Sequence, residues 1–298
     1  YCKTAVEDYI NHVVSVAEVR FDGLNIAIDT ANGSASVCAK EIFTRLGAKC
    51  HMLSDTPNGV NINLNCGSTH PEELMAFVKA NKLDLGVAFD GDADRMLAVD
   101  ENGDLVDGDK IIAICAAQMK QDGKLAKNTA VVTVMSNMGF FKFCEENDIK
   151  CAKTAVGDRY VLERMLQKGY NIGGEQSGHV IFLDYATTGD GELSAVKLIE
   201  TVVKSGATLG SLAKIMTVYP QVLINVPVTP QGKLKYNNDE YIISAVQEAE
   251  MDLNGDGRVL VRVSGTEPLV RVMLEGKNIE QITKLGNQIA EVVKERLS

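Results

Sequence analysis

The sequence predicts an α/β protein: two tandem three-layer α/β domains with mainly parallel sheets, followed by a smaller α+β C-terminal domain. Three observations predict this. Short β-branched runs alternate with segments of helical periodicity over the first two thirds of the chain. The alternation restarts after the turn-like QDGKLAKN at 121–128. From about Tyr219 the order changes to a strand, a helix, two adjacent strands and a helix, which suits a partly antiparallel sheet.

The elements follow in order. LNIAID (24–29) leads through Ala31-Asn32-Gly33 into a helix near 35–46, and KCHML (49–53) is the next strand. A helix at 71–81 precedes LGVAFD (85–90) and RMLAVD (95–100), with another helix near 108–120. Ser68 or Thr69 in STHPEE reads as the cap of the 71–81 helix, with Pro71 in its first turn, so His70 is given a structural place. The second unit runs TAVVTVMS (129–136), a helix from about 138 to 147, CAKTAV (151–156), a helix at 159–168, YNIGG, HVIFLD (179–184) and a helix at 191–205. In that last helix Leu193, Val196, Ile199 and Val203 fall at helical spacing, Asp190 is placed to cap it and Gly206 to stop it. The tail holds QVLINVPV, a helix near 238–251, RVLVRVS (258–264), LVRVMLEG (269–276) and a helix at 279–297.

Composition removes several classes of function. With 298 residues the chain can bury two or three cores. Its 30 basic and 40 acidic side chains leave a formal charge of -10 with no basic run, so nucleic acid and anionic membrane are excluded as partners. Seven scattered cysteines, never spaced as CxxC, suit neither a disulfide framework nor a structural zinc site and point to a reducing, cytoplasmic setting. No apolar stretch approaches the roughly 18 residues that span a bilayer. The chain starts without Met inside the amphipathic YCKTAVEDYINHVVSV, which leads us to expect a truncated protein.

The chemistry concentrates in VAFDGDADR (87–95), where Asp90, Asp92 and Asp94 alternate directly after an apolar strand. Three carboxylates this close repel one another, and a divalent cation resolves the repulsion. Oxygen ligands alone favour Mg²⁺ or Ca²⁺. The loop is not an EF-hand: the position that needs Gly is Arg95, and the loop runs from one strand into another. DLNGDGR (252–258) lacks the bidentate Glu, with Val263 in its place, and reads as a plain turn. A loop at the C-terminal end of a buried strand is also where α/β sheets bind ligands.

At this point the chain resembles the α-D-phosphohexomutases. FDGDADR matches the family's Mg²⁺ loop, GGEQSGH (173–179) its sugar-binding loop and RVSGTEPLVR (262–271) its phosphate-binding loop, in the expected order. PNGVNINLNCGSTHPE, MSNMG and VGDRYVLE are similar to the phosphoglucosamine branch of the family. The resemblance implies Mg²⁺ as cofactor and interconversion of glucosamine 6-phosphate and glucosamine 1-phosphate through a bisphosphate and a phosphoserine. It also implies that the domain carrying that serine is missing, so the chain alone is expected to be inactive. We divide it into a remnant helix (1–15), an α/β domain with the metal loop (16–118), an α/β domain with the sugar loop (119–218) and a phosphate-binding α+β domain (219–298).

The resemblance distributes roles over named residues. Asp90, Asp92 and Asp94 hold the metal, and Arg95 faces the transferring phosphoryl group. Glu175, Ser177 and His179 alternate along GGEQSGH; on an extended segment they would share one face, with Glu175 and Ser177 on sugar hydroxyls and His179 as acid and base. Arg159 in VGDRY is a further ligand candidate. Arg262, Ser264, Gly265 and Thr266 form an anion nest for the non-reacting phosphate, with Arg271 assisting. The expected partner is a phosphosugar, with a homodimer left open. The alternatives are a phosphomannomutase/phosphoglucomutase and a non-catalytic phosphosugar-binding module. A haloacid-dehalogenase-like phosphatase also carries aspartates after a strand, but the sugar and phosphate loops have no role in it.

Overall fold

The computed structural model describes residues 2–264 and 267–298. The elements in chain order are α1 (Ala5–Ser15), β1 (Asn25–Asp29), α2 (Ala39–Arg45), β2 (Lys49–Leu53), α3 (Glu72–Asn81), β3 (Leu85–Phe89), β4 (Met96–Asp100), β5 (Leu105–Val106), α4 (Gly108–Gln121), β6 (Thr129–Thr133), α5 (Met138–Glu146) and β7 (Lys150–Thr154). They continue with α6 (Asp158–Lys168), β8 (Ile172–Gly174), β9 (Val180–Phe182), α7 (Gly191–Ser205), α8 (Leu209–Leu212), β10 (Gln221–Pro227), α9 (Pro230–Lys235), α10 (Glu240–Leu253), β11 (Gly257–Val263), β12 (Leu269–Gly276) and α11 (Ile279–Leu297). They fall into two compact units: the chain through Ser136 with Phe140–Thr217, and Asn137–Gly139 with Val218–Ser298. No described helix is long and apolar enough to cross a membrane.

The first unit holds two sheets, ordered β2-β1-β3-β4-β5 and β7-β6-β8-β9. Period-2 alternation divides the first sheet's side chains between two helical layers. Ile26, Ile28, Leu85, Val87 and Phe89 meet Ile42 and Phe43 of α2 and Val196 of α7 in one core. Ala27, Ala88 and Val99 meet Leu74 and Val78 of α3 in the other. The second sheet repeats the plan, with Val131 and Ile181 against Val161 and Met165 of α6, and Val132 and Phe182 in the main core with Phe140 of α5. In each sheet the first three strands are parallel. The next strand, β4 or β9, is antiparallel, because residues 90–95 and 175–179 are too short for a crossover.

In the second unit β10-β12-β11 is antiparallel at both pairings, where a partly antiparallel sheet was expected. A short loop between β11 and β12 permits only a hairpin, and β10 adds to the free edge of β12 in the same sense. α10 and α11 supply Ile242, Leu253, Ile282, Leu285 and Ile289 to a core with Val270, Val272 and Leu274 of β12. The DLNGDGR segment is a turn: Asn254 ends α10 in the left-handed region and Gly255 follows it there.

Helix ends follow local chemistry, with one correction. Asp190 Oδ1 accepts from Leu193 N at 2.9 Å and Gly206 closes α7 in the left-handed conformation. Neither Ser68 nor Thr69 caps α3; Pro71 occupies the cap position with no side-chain hydrogen bond. The Ser68 amide is engaged elsewhere, donating to Phe89 O at 2.8 Å.

Candidate functional site

β3 is buried along its whole length and ends at Asp90, so the chain emerges from the sheet at the first carboxylate. The loop then turns tightly: Ala93 N donates to Asp90 O at 3.1 Å, and Ala93 is left-handed at φ 59°. Asp90, Asp92 and Asp94 each offer an oxygen, and the three lie within 4.8 Å of one another. Asp90 is buried, Asp94 half-buried and Asp92 exposed. Arg95 folds back on this cluster, its Nε 2.6 Å from Asp90 Oδ2 and 3.5 Å from Asp94 Oδ1. The close approach to Asp90 is an ion pair without an aligned N–H, since Asp90 Oδ2 and Asp94 Oδ1 accept no hydrogen bond among the described residues. Burial pushes the Asp90 carboxyl above its usual range, and the Asp94 and Asp92 charges add to this while Arg95 pulls back. Clustered hard oxygens with unused lone pairs fit Mg²⁺ or Ca²⁺ once the guanidinium swings aside. An open cavity of about 590 Å³ beside the loop is lined by Tyr9, Val37, Asp92, Asp94 and Asp190, among others.

The GGEQSGH loop (173–179) is brought to the acidic loop by peptide groups. Met96 N at the start of β4 donates to Gly178 O at 3.1 Å, and Gly108 N at the start of α4 donates to Gln176 O at 3.0 Å. GGEQSGH is not the extended segment expected from its spacing. It is the tight turn of the β8–β9 hairpin, with Glu175 N donating to His179 O and Gly178 N to Glu175 O, both at 3.0 Å. Gly178 makes the turn possible at φ +97°. Alternation therefore does not put Glu175, Ser177 and His179 on one face. Ser177 is exposed, and Glu175 Oε1 accepts from Gly157 N at 3.0 Å. His179 is buried, its Nε2 3.6 Å from Asp94 Oδ2 and 3.9 Å from Asp158 Oδ2. The ring packs so closely on Gly189 that a Cβ there would lie 2.5 Å from Nε2.

Arg159 stands on the first turn of α6 with its side chain 81% exposed, paired to Glu163 at 2.8 Å on the same helix. Its neighbour Asp158, within the same quoted VGDRY motif, is the residue near His179 that spacing did not single out.

The second unit carries the other cluster. Arg262 and Arg271 are register partners on β11 and β12. Burial, then the Arg271 charge, hold Arg262 below the usual guanidinium value. Arg271 Nη2 lies 2.8 Å from Glu267 Oε2, and its buried Nε has no hydrogen-bond partner among the described residues. Ser264 is buried and its Oγ accepts from Glu267 N at 3.2 Å. Gly265 and Thr266, assigned to the anion nest, lie outside the described residues.

Comparison with known proteins adds to this geometry. Family models for phosphoglucomutase/phosphomannomutase match along the chain: alpha/beta/alpha domain II at residues 7–103, alpha/beta/alpha domain III at 107–219 and the C-terminal domain at 223–292. The chain is 54% identical over 291 residues to a phosphoglucosamine mutase of Brevibacillus brevis, covering 98% of this chain and 64% of that protein. It thus spans less than two thirds of that relative's length. The fold is also that of an Aspergillus fumigatus N-acetylphosphoglucosamine mutase structure, with TM-score 0.80 at 20% identity over 98% of this chain and 64% of that one. A second structure from that organism, in complex with GlcNAc-6P and magnesium, aligns with TM-score 0.75 at 20% identity over 98% and 65%. With its acidic loop at the end of a buried strand and three domain models matched in series, the chain belongs to the phosphoglucomutase/phosphomannomutase family, the α-D-phosphohexomutases.

Proposed function

We propose that this chain is the cation- and phosphosugar-holding part of a phosphoglucosamine mutase, which interconverts glucosamine 6-phosphate and glucosamine 1-phosphate through a bisphosphate. The observation that carries the reading is identity of 54% to a phosphoglucosamine mutase over nearly the whole chain. The Asp90, Asp92 and Asp94 cluster and the nearby buried His179 support it.

Asp90, Asp92 and Asp94 hold Mg²⁺, which when bound neutralises the negative charge that phosphoryl transfer develops. Arg95, released from Asp90, offers its guanidinium to the phosphoryl oxygens beside them. His179 exchanges the proton of the accepting sugar hydroxyl, with Asp94 and Asp158 flanking its Nε2. Glu175 and Ser177 bind sugar hydroxyls from the hairpin turn, and Arg159 leaves Glu163 to join them. Arg262, Ser264, Gly265, Thr266 and Arg271 grip the phosphate that is not reacting. The free state of all seven cysteines supports a cytoplasmic setting. The four segments bounded at 15, 118 and 218 are part of the same reading.

Residues 1–298 alone are expected to show no turnover, whereas a protein of the relatives' full length converts glucosamine 6-phosphate faster than glucose or mannose 6-phosphate. The test is a substrate panel followed by ³¹P NMR. Turnover by residues 1–298 would remove the claim of inactivity, and preference for the glucose or mannose phosphates would replace the substrate with that of a phosphoglucomutase/phosphomannomutase.

A further inference from the structure

Asp29 ends β1 fully buried, with no cationic side chain bonded to it among the described residues, and none of the roles above uses it. Its Oδ1 accepts from Ala31 N at 2.9 Å and its Oδ2 from Gly67 N at 2.8 Å, so one carboxylate ties two loops together. The first loop is held in an unfavourable shape. Ala31 and Asn32 are both left-handed, at φ 53° and 49°, a conformation that a Cβ disfavours, at Ala31 above all. Past that bend Ser34 N donates to Gly91 O at 2.9 Å. The second loop continues from Gly67 to Ser68, whose N donates to Phe89 O at 2.8 Å. A further hydrogen bond, Asn63 N to Ala31 O at 2.9 Å, joins the two loops directly. The two gripped carbonyls, Phe89 and Gly91, belong to the residues on either side of Asp90.

We propose that Asp29 is a positioning residue for the cation loop: through the Ala31 and Gly67 amides it fixes the two loops that clamp the peptides flanking Asp90, and so sets where that carboxylate points. This rests on the reading of Asp90, Asp92 and Asp94 as cation ligands. A buried carboxylate that orients a ligand through intervening groups changes metal affinity when altered, typically 10–100-fold for groups one step behind the ligands. In Asp29→Asn one oxygen is replaced by a donor that faces a donor N–H, so one of the two loops is released.

The test titrates Mn²⁺ alone into the 298-residue chain by water-proton relaxation, comparing wild type, Asp29→Asn and Asn171→Ala. Asn171 bonds Ala126 N, Lys124 O and Asp184 Oδ2 in the same unit, away from residues 90–95 in its hydrogen bonding, so it controls for general loosening. The expected result is a dissociation constant raised about tenfold in Asp29→Asn and within about twofold of wild type in Asn171→Ala, with faster amide exchange by NMR at Ser34 and Ser68 in Asp29→Asn only. Equal Mn²⁺ affinity in Asp29→Asn and wild type overturns the inference alone. Weaker affinity with unchanged exchange at Ser34 and Ser68 also overturns it, because loss of a nearby charge then accounts for the change. Absence of Mn²⁺ binding by wild type overturns the cation reading and this inference together. If Asp29→Asn fails to fold, saturating Mg²⁺ should slow exchange of the Ser34, Gly67 and Ser68 amides several-fold in wild type, and no slowing overturns the inference.

Discussion

Arg262 and Arg271 stand directly opposite each other in the antiparallel ladder of β11 and β12. Residues so paired share a face of the sheet, and like charges there destabilise it. Glu267 offsets part of this from the Arg271 side. On the phosphate-gripping role proposed above, a bound dianion offsets more of this repulsion.

Arg262→Gln is therefore expected to act in opposite directions on stability and binding. Without ligand, the melting temperature should hold or rise, in keeping with the roughly 0.2–1 kcal/mol of a cross-strand charge pair. Inorganic phosphate should stabilise wild type but have little effect on the variant, and a loss of about 1.5–3 kcal/mol in binding follows for a charged hydrogen bond. Thermal melts across a phosphate series check both signs. A variant that phosphate stabilises as strongly as wild type would remove Arg262 from the anion grip.

Asp92 is the exposed member of the acidic cluster and has the least structural work to do. In a protein of the relatives' full length, Asp92→Ala should lower kcat at least about 100-fold, since a metal's charge counts most where negative charge develops. The melting temperature should stay near that of wild type. Steady-state kinetics with Mg²⁺ as the only added metal decide this, and an unchanged kcat would withdraw Asp92 from the ligand set.

A pH effect is expected at Tyr9. Its single hydroxyl lies 2.9 Å from both Asp190 Oδ1 and Glu192 Oε2, while Cys38 Sγ donates to Glu192 Oε1 at 2.9 Å. One hydroxyl hydrogen cannot serve two carboxylates, and burial raises the pKa of both acids. A raised folded-state pKa means the folded protein holds its proton longer than the unfolded chain. Stability is then full below the ordinary Glu value of 4.5 and falls as pH rises through the folded-state pKa. Glu192→Gln can accept from Cys38 and donate to Tyr9 without titrating. Its melting temperature should exceed that of wild type at pH 8, with the gap closing towards pH 4. A gap independent of pH would refute the shared-proton account.

Gly189→Ala should displace His179, because the new methyl would fall 2.5 Å from Nε2 of a buried ring. In a protein of the relatives' full length, turnover should fall by an order of magnitude or more, while Mn²⁺ affinity changes by no more than a few fold. Loss of metal affinity in step with turnover would show that the substitution disturbs Asp94 rather than the imidazole.

Much of this was legible in the chain because local and tertiary preferences agree. The runs at 24–29, 85–90 and 129–136 contain the largely buried strands β1, β3 and β6, the last ending at Thr133, and the alternation Ile26, Ala27, Ile28 already divides two cores. The capping of α7 by Asp190 was readable from residue type alone. The GGEQSGH segment was misjudged because β8 and β9 are three residues each, too short for alternation to register, and the turn is set by Gly178 and by pairing with a partner strand. The cap of α3 was misplaced because the Ser68 amide is drawn to Phe89, a contact distant in sequence. The facing of Arg262 and Arg271 depends on register, and the proximity of His179 to Asp94 depends on two sheets of one unit meeting. No window of sequence contains either.

The GGEQSGH loop is suspended from Met96 and Gly108 by main-chain groups at Gly178 and Gln176. Two of these four points are glycines by necessity, since a Cβ on Gly108 would lie 2.1 Å from Glu175 O and one on Gly178 would lie 2.4 Å from Met96 O. Ser177 projects into solvent from a frame that does not depend on what it is. The residue at 177 can therefore change while the glycines of the mount hold the loop's distance from the acidic cluster constant.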